Sequence, residues 1–306
     1  MIPVPQGRRS STWGAIAVAA LVVVLVGCTK DASDDADEPA IDAVPVIRSS
    51  SELVLPLDDF AQTEDQEHAI TDAVNILGRQ CMKRFGLDWP AARVSGSFEV
   101  DPYARRYSII DVEKASVEGY HAVDIIKRQR ALAELDANAP TPSREAMNVW
   151  AGRGQSSYNG EPVPAGGCAK EATDKLAGGV READLALVQR LQVEARGRTM
   201  ADSRVVKVFA AWSACMKDEG FSYPDPFAAN DDQRWQSETI SAEETATAVA
   251  DVKCKDKANV VGTMLAVERA YQRRQVEQHG TELTAVKAYV QARAATAGRV
   301  LASGGA

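Results

Sequence analysis

Along most of this chain apolar residues recur at intervals of three and four, the period of a helix with one buried face. Ile70, Val74, Leu77, Cys81 and Phe85 form one such stripe. Thr63-Glu64-Asp65-Gln66 before it has the form of a capping box, in which Thr and Gln side chains satisfy free N–H groups of the first turn. Leu185, Val188, Leu191 and Ala195 predict an amphipathic helix from Asp184 to Arg196, and Val205, Phe209, Trp212 and Met216 predict another, capped within Thr199 to Asp202. Behind a second capping box at Ser241 to Glu244, the line Ala250, Cys254, Ala258, Val261 and Leu265 predicts one long helix reaching His279, where Gly280 interrupts. Leu283, Val286, Val290 and Leu301 predict a last helix. Shorter helices are expected at Val123 to Asp136, which is polar, from Thr141-Pro142 to about Trp150, and from Ala169 to Leu176.

The pattern changes between Arg93 and His121. Val94, Phe98 and Val100, then Tyr107, Ile109 and Ile110, are spaced as two short strands would be. Gly152 to Gly167 holds five glycines and two prolines and reads as loop. The expected fold class is therefore mainly α, with a loop-rich insert carrying short strands in its first half.

Two decapeptides match without a gap: Cys81-Met82-Lys83-Arg84-Phe85-Gly86-Leu87-Asp88-Trp89-Pro90 and Cys215-Met216-Lys217-Asp218-Glu219-Gly220-Phe221-Ser222-Tyr223-Pro224. Read as an internal repeat, they divide the folded chain into a first helical unit, 58–179, and a second, 180–306. Each part has a structural task. Gly86 and Gly220 suit the left-handed residue that ends a helix, and the prolines prevent its resumption. Lys83 and Lys217 place positive charge at the negative end of the helix dipole. In the second unit Cys254 lies much further along its helix than Cys215 lies from the end of its own. The strap from Phe221 to Ile240 must then climb, laying Tyr223, Phe227 and Trp235 over the helix pair.

The N-terminal region obeys different rules. Arg8 and Arg9 precede an apolar run from Ala15 to Val26, which is short of the ~20 residues a spanning helix needs. Residues 1–27 read as an export signal. The run ends in Leu25-Val26-Gly27-Cys28, which resembles the bacterial lipobox, where the Cys sulfur receives diacylglycerol and the chain is cut before it. The bland alternative is a chance cysteine after a signal peptide. On the first reading the partner is a membrane, held through lipid on Cys28, and the protein sits at the outer face of the cytoplasmic membrane. Residues 28–57, with Asp31, Asp34, Asp35, Asp37 and Glu38 crowded before Pro39, Pro45 and Pro56, are expected to be a disordered acidic tether.

Composition is that of a globular chain, 45% hydrophobic and 25% charged. A net charge of −8 excludes the general affinity for phosphate backbones that clustered Lys and Arg supply, so no nucleic-acid partner is expected.

After Cys28, four cysteines remain in a compartment that favours disulfides, and four allow three pairings. The repeat selects among them. Each decapeptide Cys is followed by one further Cys in its unit, which predicts Cys81 with Cys168 and Cys215 with Cys254. The competing readings, a metal site or a thiol enzyme, lack support: there is no C-x-x-C, and His68, His121 and His279 are scattered. No metal and no cofactor are expected.

Catalytic spacings are missing too. The sequence contains no G-x-S-x-G, S-x-x-K, H-E-x-x-H or phosphate-binding glycine loop. The densest set of unusual residues is Arg105, Arg106, Tyr107, Asp111, Tyr120 and His121, expected to face a loop with Trp150 and Tyr158. Aromatics with cations and a His suit a small-ligand cleft. The competing reading is a loop-rich subdomain whose tyrosines bury their rings and hydrogen-bond their hydroxyls.

Several of these segments carry a resemblance. Arg106-Tyr107 to Asp111, Gly119-Tyr120-His121, Pro164-Ala165-Gly166-Gly167-Cys168 and Asp251-Val252-Lys253-Cys254, with the two decapeptides, look like a group of actinobacterial secreted proteins and lipoproteins. The resemblance implies the anchor and the paired cysteines and transfers no catalytic residue. It also implies Gly after the Tyr, where this chain has Ser108. Together these readings describe an extracytoplasmic lipoprotein. Its expected role is a non-catalytic binding or accessory module of the cell envelope, engaging an envelope protein or a small ligand. The alternative is a cell-wall-active hydrolase that assembles scattered carboxylates.

Overall fold

Thr63 opens the first long helix through a reciprocal pair of bonds, its hydroxyl accepting from the Gln66 N–H while the Gln66 side chain accepts from the Thr63 N–H. The computed structural model describes residues 38–90, 101, 103–237 and 239–304. The signal segment, Cys28 and the expected strand at Val94, Phe98 and Val100 lie outside them. Among the described residues the chain is mainly helical: α1 (Glu64–Arg84), α2 (Val112–Glu118), α3 (Val123–Ala137), α4 (Arg144–Ala151), α5 (Gly167–Ala177), α6 (Ala186–Ala201), α7 (Ser203–Asp218), α8 (Pro226–Asn230), α9 (Ala242–Ala258), α10 (Val260–Gln278) and α11 (Gly280–Ala302). One two-residue hairpin, β1 (Ser157–Tyr158) with β2 (Glu161–Pro162), lies in the glycine loop.

Both disulfides join the expected partners, Cys81 to Cys168 between α1 and α5, and Cys215 to Cys254 between α7 and α9, with Cα separations of 5.6 and 5.7 Å. Constraining loops of this length removes chain entropy worth about 4 kcal/mol each in the simplest account. The decapeptides end their helices alike. Gly86 and Gly220 have φ of 66° and 90°, and the N–H groups of Leu87 and Phe221 reach back to the carbonyls of Met82 and Met216. Both methionines are fully buried. The straps then differ: Trp89 stacks on Trp150 with ring centroids 4.1 Å apart, whereas the Tyr223 hydroxyl donates to Asp232 at 2.8 Å. As expected, Trp235 is buried on the second strap, and Tyr223 and Phe227 pack against the same core.

The helices do not respect the boundary at 179/180. α1 packs against α11 as well as α5, and α2 packs against α9, so 38–306 form one compact body with the halves interlocked. The largest core gathers Trp212, Met216, Met264 and Leu265 around Tyr107 and Ile109. A separate cluster surrounds Cys81 and Cys168, another lies between α6 and α11, and a third joins α1, α5 and α11.

Four expectations need correcting. The long helix of the second unit is broken at Asn259, whose φ of 48° is left-handed, a conformation Asn tolerates better than most residues. Tyr107 to Ile110 is not a strand, because Ser108 is also left-handed, at φ 64°. The helix expected at Thr141-Pro142 begins later, with Ser143 as its cap, the hydroxyl accepting from the Ala146 N–H. The fourth concerns the tether. Residues 38–57 are packed on the body: Ile47, Leu53, Leu55 and Leu57 are buried, and Pro56–Phe60 forms a 3-10 turn. Acidic and proline-rich composition concealed enough apolar side chains to offset the ordering entropy.

This arm is clamped from α10. The Pro45 carbonyl accepts from Asn259 Nδ2 at 3.0 Å and lies directly over Gly262, where an added Cβ would stand 1.8 Å from it. Further along, the Leu57 N–H donates to Gln272 at 3.0 Å. Gly262→Ala is therefore expected to destabilise by about 1–3 kcal/mol, as overpacking does, and to open the arm to protease between Ile41 and Leu55. Limited proteolysis with melting curves checks this; an arm as resistant as in the parent chain contradicts the clamp.

Candidate functional site

The insert from Tyr103 to His121 is a series of turns ending in a short helix, and it sends its polar side chains in two directions. Successive reverse turns, Arg106 N–H to Tyr103 and Ser108 N–H to Arg105, place neighbouring arginines on opposite sides. Arg106 and Tyr107 point inward to Glu268 on α10, whose side chain has no exposure. Tyr107 donates to it at 2.8 Å, Arg106 forms an ion pair with it, Gln272 donates at 3.3 Å, and Arg196 on α6 lies 3.8 Å away. Burial pushes the Tyr107 hydroxyl far above its ordinary value, and the Glu268 charge adds to that. These groups are walled in and serve as structure. Ser108 spans the turn, its hydroxyl bonded to Asn230 at 3.1 Å. The left-handed turn there is the conformation a Gly would adopt most easily, and the Asn230 bond offsets part of the cost of a side chain.

Deeper still, Asp251 and Lys255 on α9 form a wholly buried pair at 2.8 Å. Trp212 Nε1 donates to Asp251 at 2.9 Å and Lys255 donates to the Ile109 carbonyl at 2.8 Å. Burial pushes the Asp251 carboxyl up and the Lys255 ammonium down, each shift opposed by the partner's charge. Tyr120, its ring buried against Trp235, turns its hydroxyl towards Asp251, and burial pushes that hydroxyl up strongly as well.

Arg105, Asp111 and His121 face outward. Asp111 caps α2 by accepting from the Lys114 N–H at 2.9 Å. Beside it lies a cavity of about 150 Å³, walled by Arg105, Lys114, Glu118 and Asp124, with Ser49 and Ser50 of the arm on one side. Arg105 is held by the His121 carbonyl and stands 3.9 Å from Glu118, while Lys114 stands 3.9 Å from Asp124. Burial pushes the Arg105 guanidinium down despite these acids, and its Nη1 is buried with no hydrogen-bond partner among the described residues.

No protein-family model, curated protein or solved structure matches the chain. The site must be read from its own chemistry. Among the described residues no group of three or more His, Cys, Asp or Glu is placed to hold a metal ion, and no helix is long and apolar enough to cross a membrane.

The six residues singled out by sequence thus fall into two sets. Tyr107 and Tyr120 are buried and Arg106 is half-buried against Glu268, while Arg105 and Asp111 reach the cavity and His121 lies just beyond it. Trp150 and Tyr158 are not opposite them. Both pack in the Cys81–Cys168 cluster, where Trp150 stacks on Trp89. Sequence reasoning missed Glu268, Glu244, Asp251 and Lys255. Only the spacing of Asp251 and Lys255, four residues apart on a predicted helix, carried a signal.

Glu244 shows why. Placed to complete a capping box, it receives the Ser241 cap on its N–H at 3.0 Å, but its carboxylate turns away to accept from the Tyr120 N–H and from His121 Nδ1, both at 2.8 Å. His121 Nε2 meets the Ser237 carbonyl at 2.8 Å. Both ring nitrogens therefore face acceptors, and only the doubly protonated ring donates to both. Burial alone would push the His121 pKa down; the bonds to Ser237 and Glu244 outweigh it and raise it. A raised pKa stabilises the fold fully below the ordinary histidine value, and the gain is lost as pH rises through the shifted one. Stability should decline from about pH 6.5 upward, and His121→Gln should flatten that limb. Urea melts of both chains across pH 5 to 9 provide the check, and parallel profiles would contradict the assignment.

Proposed function

We propose that this chain is a lipid-anchored, extracytoplasmic binding module, non-catalytic, whose cavity beside Arg105 takes a small zwitterionic ligand. One observation carries the reading: the wall of a single cavity presents two cations, Arg105 and Lys114, beside two acids, Glu118 and Asp124. An anionic group of the ligand meets Arg105 and Lys114, and its cationic group meets the acids. A cavity near 150 Å³ is comparable to an engineered apolar site that holds benzene, so the enclosed part of the ligand is of amino-acid size. The buried carboxylates support binding over hydrolysis, because Glu268, Asp251 and Glu244 are each bonded to structural donors.

The anchor is read from Leu25-Val26-Gly27-Cys28 and the short apolar run before it. Two disulfides agree with an oxidising compartment. The likeness to actinobacterial secreted lipoproteins belongs to the same reading, and so does the internal repeat, which the matching helix ends at Gly86 and Gly220 support.

Thermal shift against a panel of free amino acids and dipeptides tests the cavity. At least one member is expected to raise the melting temperature of the parent chain and to lose tenfold or more in affinity with Arg105→Gln, since a charge-assisted bond is worth about 1.5–3 kcal/mol. No shift with any member, or release of products from cell-wall fragments, overturns the reading. For the anchor, Cys28→Ser is expected to move the protein from the membrane fraction to the soluble one in the producing cell; retention in the membrane refutes lipidation.

A further inference from the structure

Beyond His121 lies a second depression whose described lining carries two exposed cations. It runs between α3 and the residues Trp235, Gln236, Ser237 and Ile240, with a volume of about 540 Å³. Val123, Ile126, Lys127 and Arg130 line it from α3. Their spacing of three, four and seven residues makes a single helix face. Across from them stand the Trp235 ring and Ile240, the latter 38% exposed. No residue of helix α3 is fully buried: Val123 and Ile126 are half-buried, and Lys127 and Arg130 are exposed.

The lining is cationic as well as apolar. Lys127 and Arg130 sit one turn apart, and neither has an ion-pair partner among the described residues. His121 at the rim has both ring nitrogens against acceptors. None of the nine described lining residues is acidic, although the chain carries 43 acids against 35 Lys and Arg. The size of the groove decides what kind of ligand fits. A protein partner needs about 20–30 residues on each side, far more than nine, whereas small-ligand pockets span about 300–1,000 Å³.

We propose that this groove binds an anionic amphiphile of single-chain type, such as a fatty acid. The alkyl chain lies along Val123, Ile126, Ile240 and the Trp235 ring, and the anionic head meets Lys127 and Arg130. The site is separate from the Arg105 cavity, and α3 forms a wall of both. A failure here leaves the zwitterion site untouched.

Titration calorimetry of the full chain with dodecanoate, dodecanol and dodecyltrimethylammonium, each below its micellar concentration, tests the proposal. Dodecanoate is expected to saturate at one equivalent, with dodecanol at least tenfold weaker and the cation weaker still. The double variant Lys127→Ala/Arg130→Ala should lose at least tenfold for dodecanoate while keeping its melting temperature, since both side chains are exposed. Trp235 fluorescence should change on binding, and Ile126→Glu should abolish the change. Equal affinity for dodecanoate and dodecanol, unsaturable uptake, or unaltered binding by the double variant would each overturn it. So would an acidic helical peptide that binds where dodecanoate does not.

Discussion

A carboxylate cut off from water must be met by donors and opposite charge, and Glu268 collects them from three separate stretches of chain. Arg106 and Tyr107 come from the insert, Arg196 from α6 and Gln272 from the next turn of α10. Removing any one leaves buried charge undercompensated, so the insert cannot shift without disturbing the core. Asp251 with Lys255 and Glu244 repeat the arrangement on α9, holding the Ile109 carbonyl and the backbone at Tyr120. A loop-rich segment with little apolar surface of its own is fixed by acids projecting from two packed helices. That fixation brings Arg105 and His121 to the surface in defined positions.

The decapeptides work on a different scale. Each disulfide ties one helix near its end to another helix, and each left-handed Gly turns the chain into a strap that covers the bridge. Past the Gly the two straps differ in chemistry: an indole stack lies over the first bridge, and a polar link from Tyr223 to Asp232 and Arg234 over the second. The geometry they share is that of a scaffold, and the two cavities lie elsewhere.

Most helices were legible from periodicity because a one-sided apolar stripe leaves a regular trace. The disulfide pairing was legible from the spacing of the two decapeptides and the later cysteines. The errors share a cause in contacts distant along the chain. Asn259 breaks a helix whose apolar line continues across it, and the break receives Pro45 from more than two hundred residues away. Leu53, Leu55 and Leu57 alternate in a way that signals an extended, half-buried segment, but the acids and prolines before them outweighed it. At the candidate site, Arg105 and His121 stood out by residue type. Glu268 and Glu244 could not be picked from 43 acidic residues, because their significance lies in partners 124 to 162 residues away.

The docked arm limits how far the body could stand from a lipid carried on Cys28. Glu38, where the packed arm begins and whose carboxylate accepts from Ser203, lies only ten positions after Cys28. Whatever its conformation, a chain of that length reaches at most about 35 Å. With Cys28 held in a bilayer by the proposed lipid, the leash is short and its load passes through Ser203 and α10. The protein would then work close to the lipid headgroups, within reach of what leaves the membrane and remote from the outer layers of a thick wall.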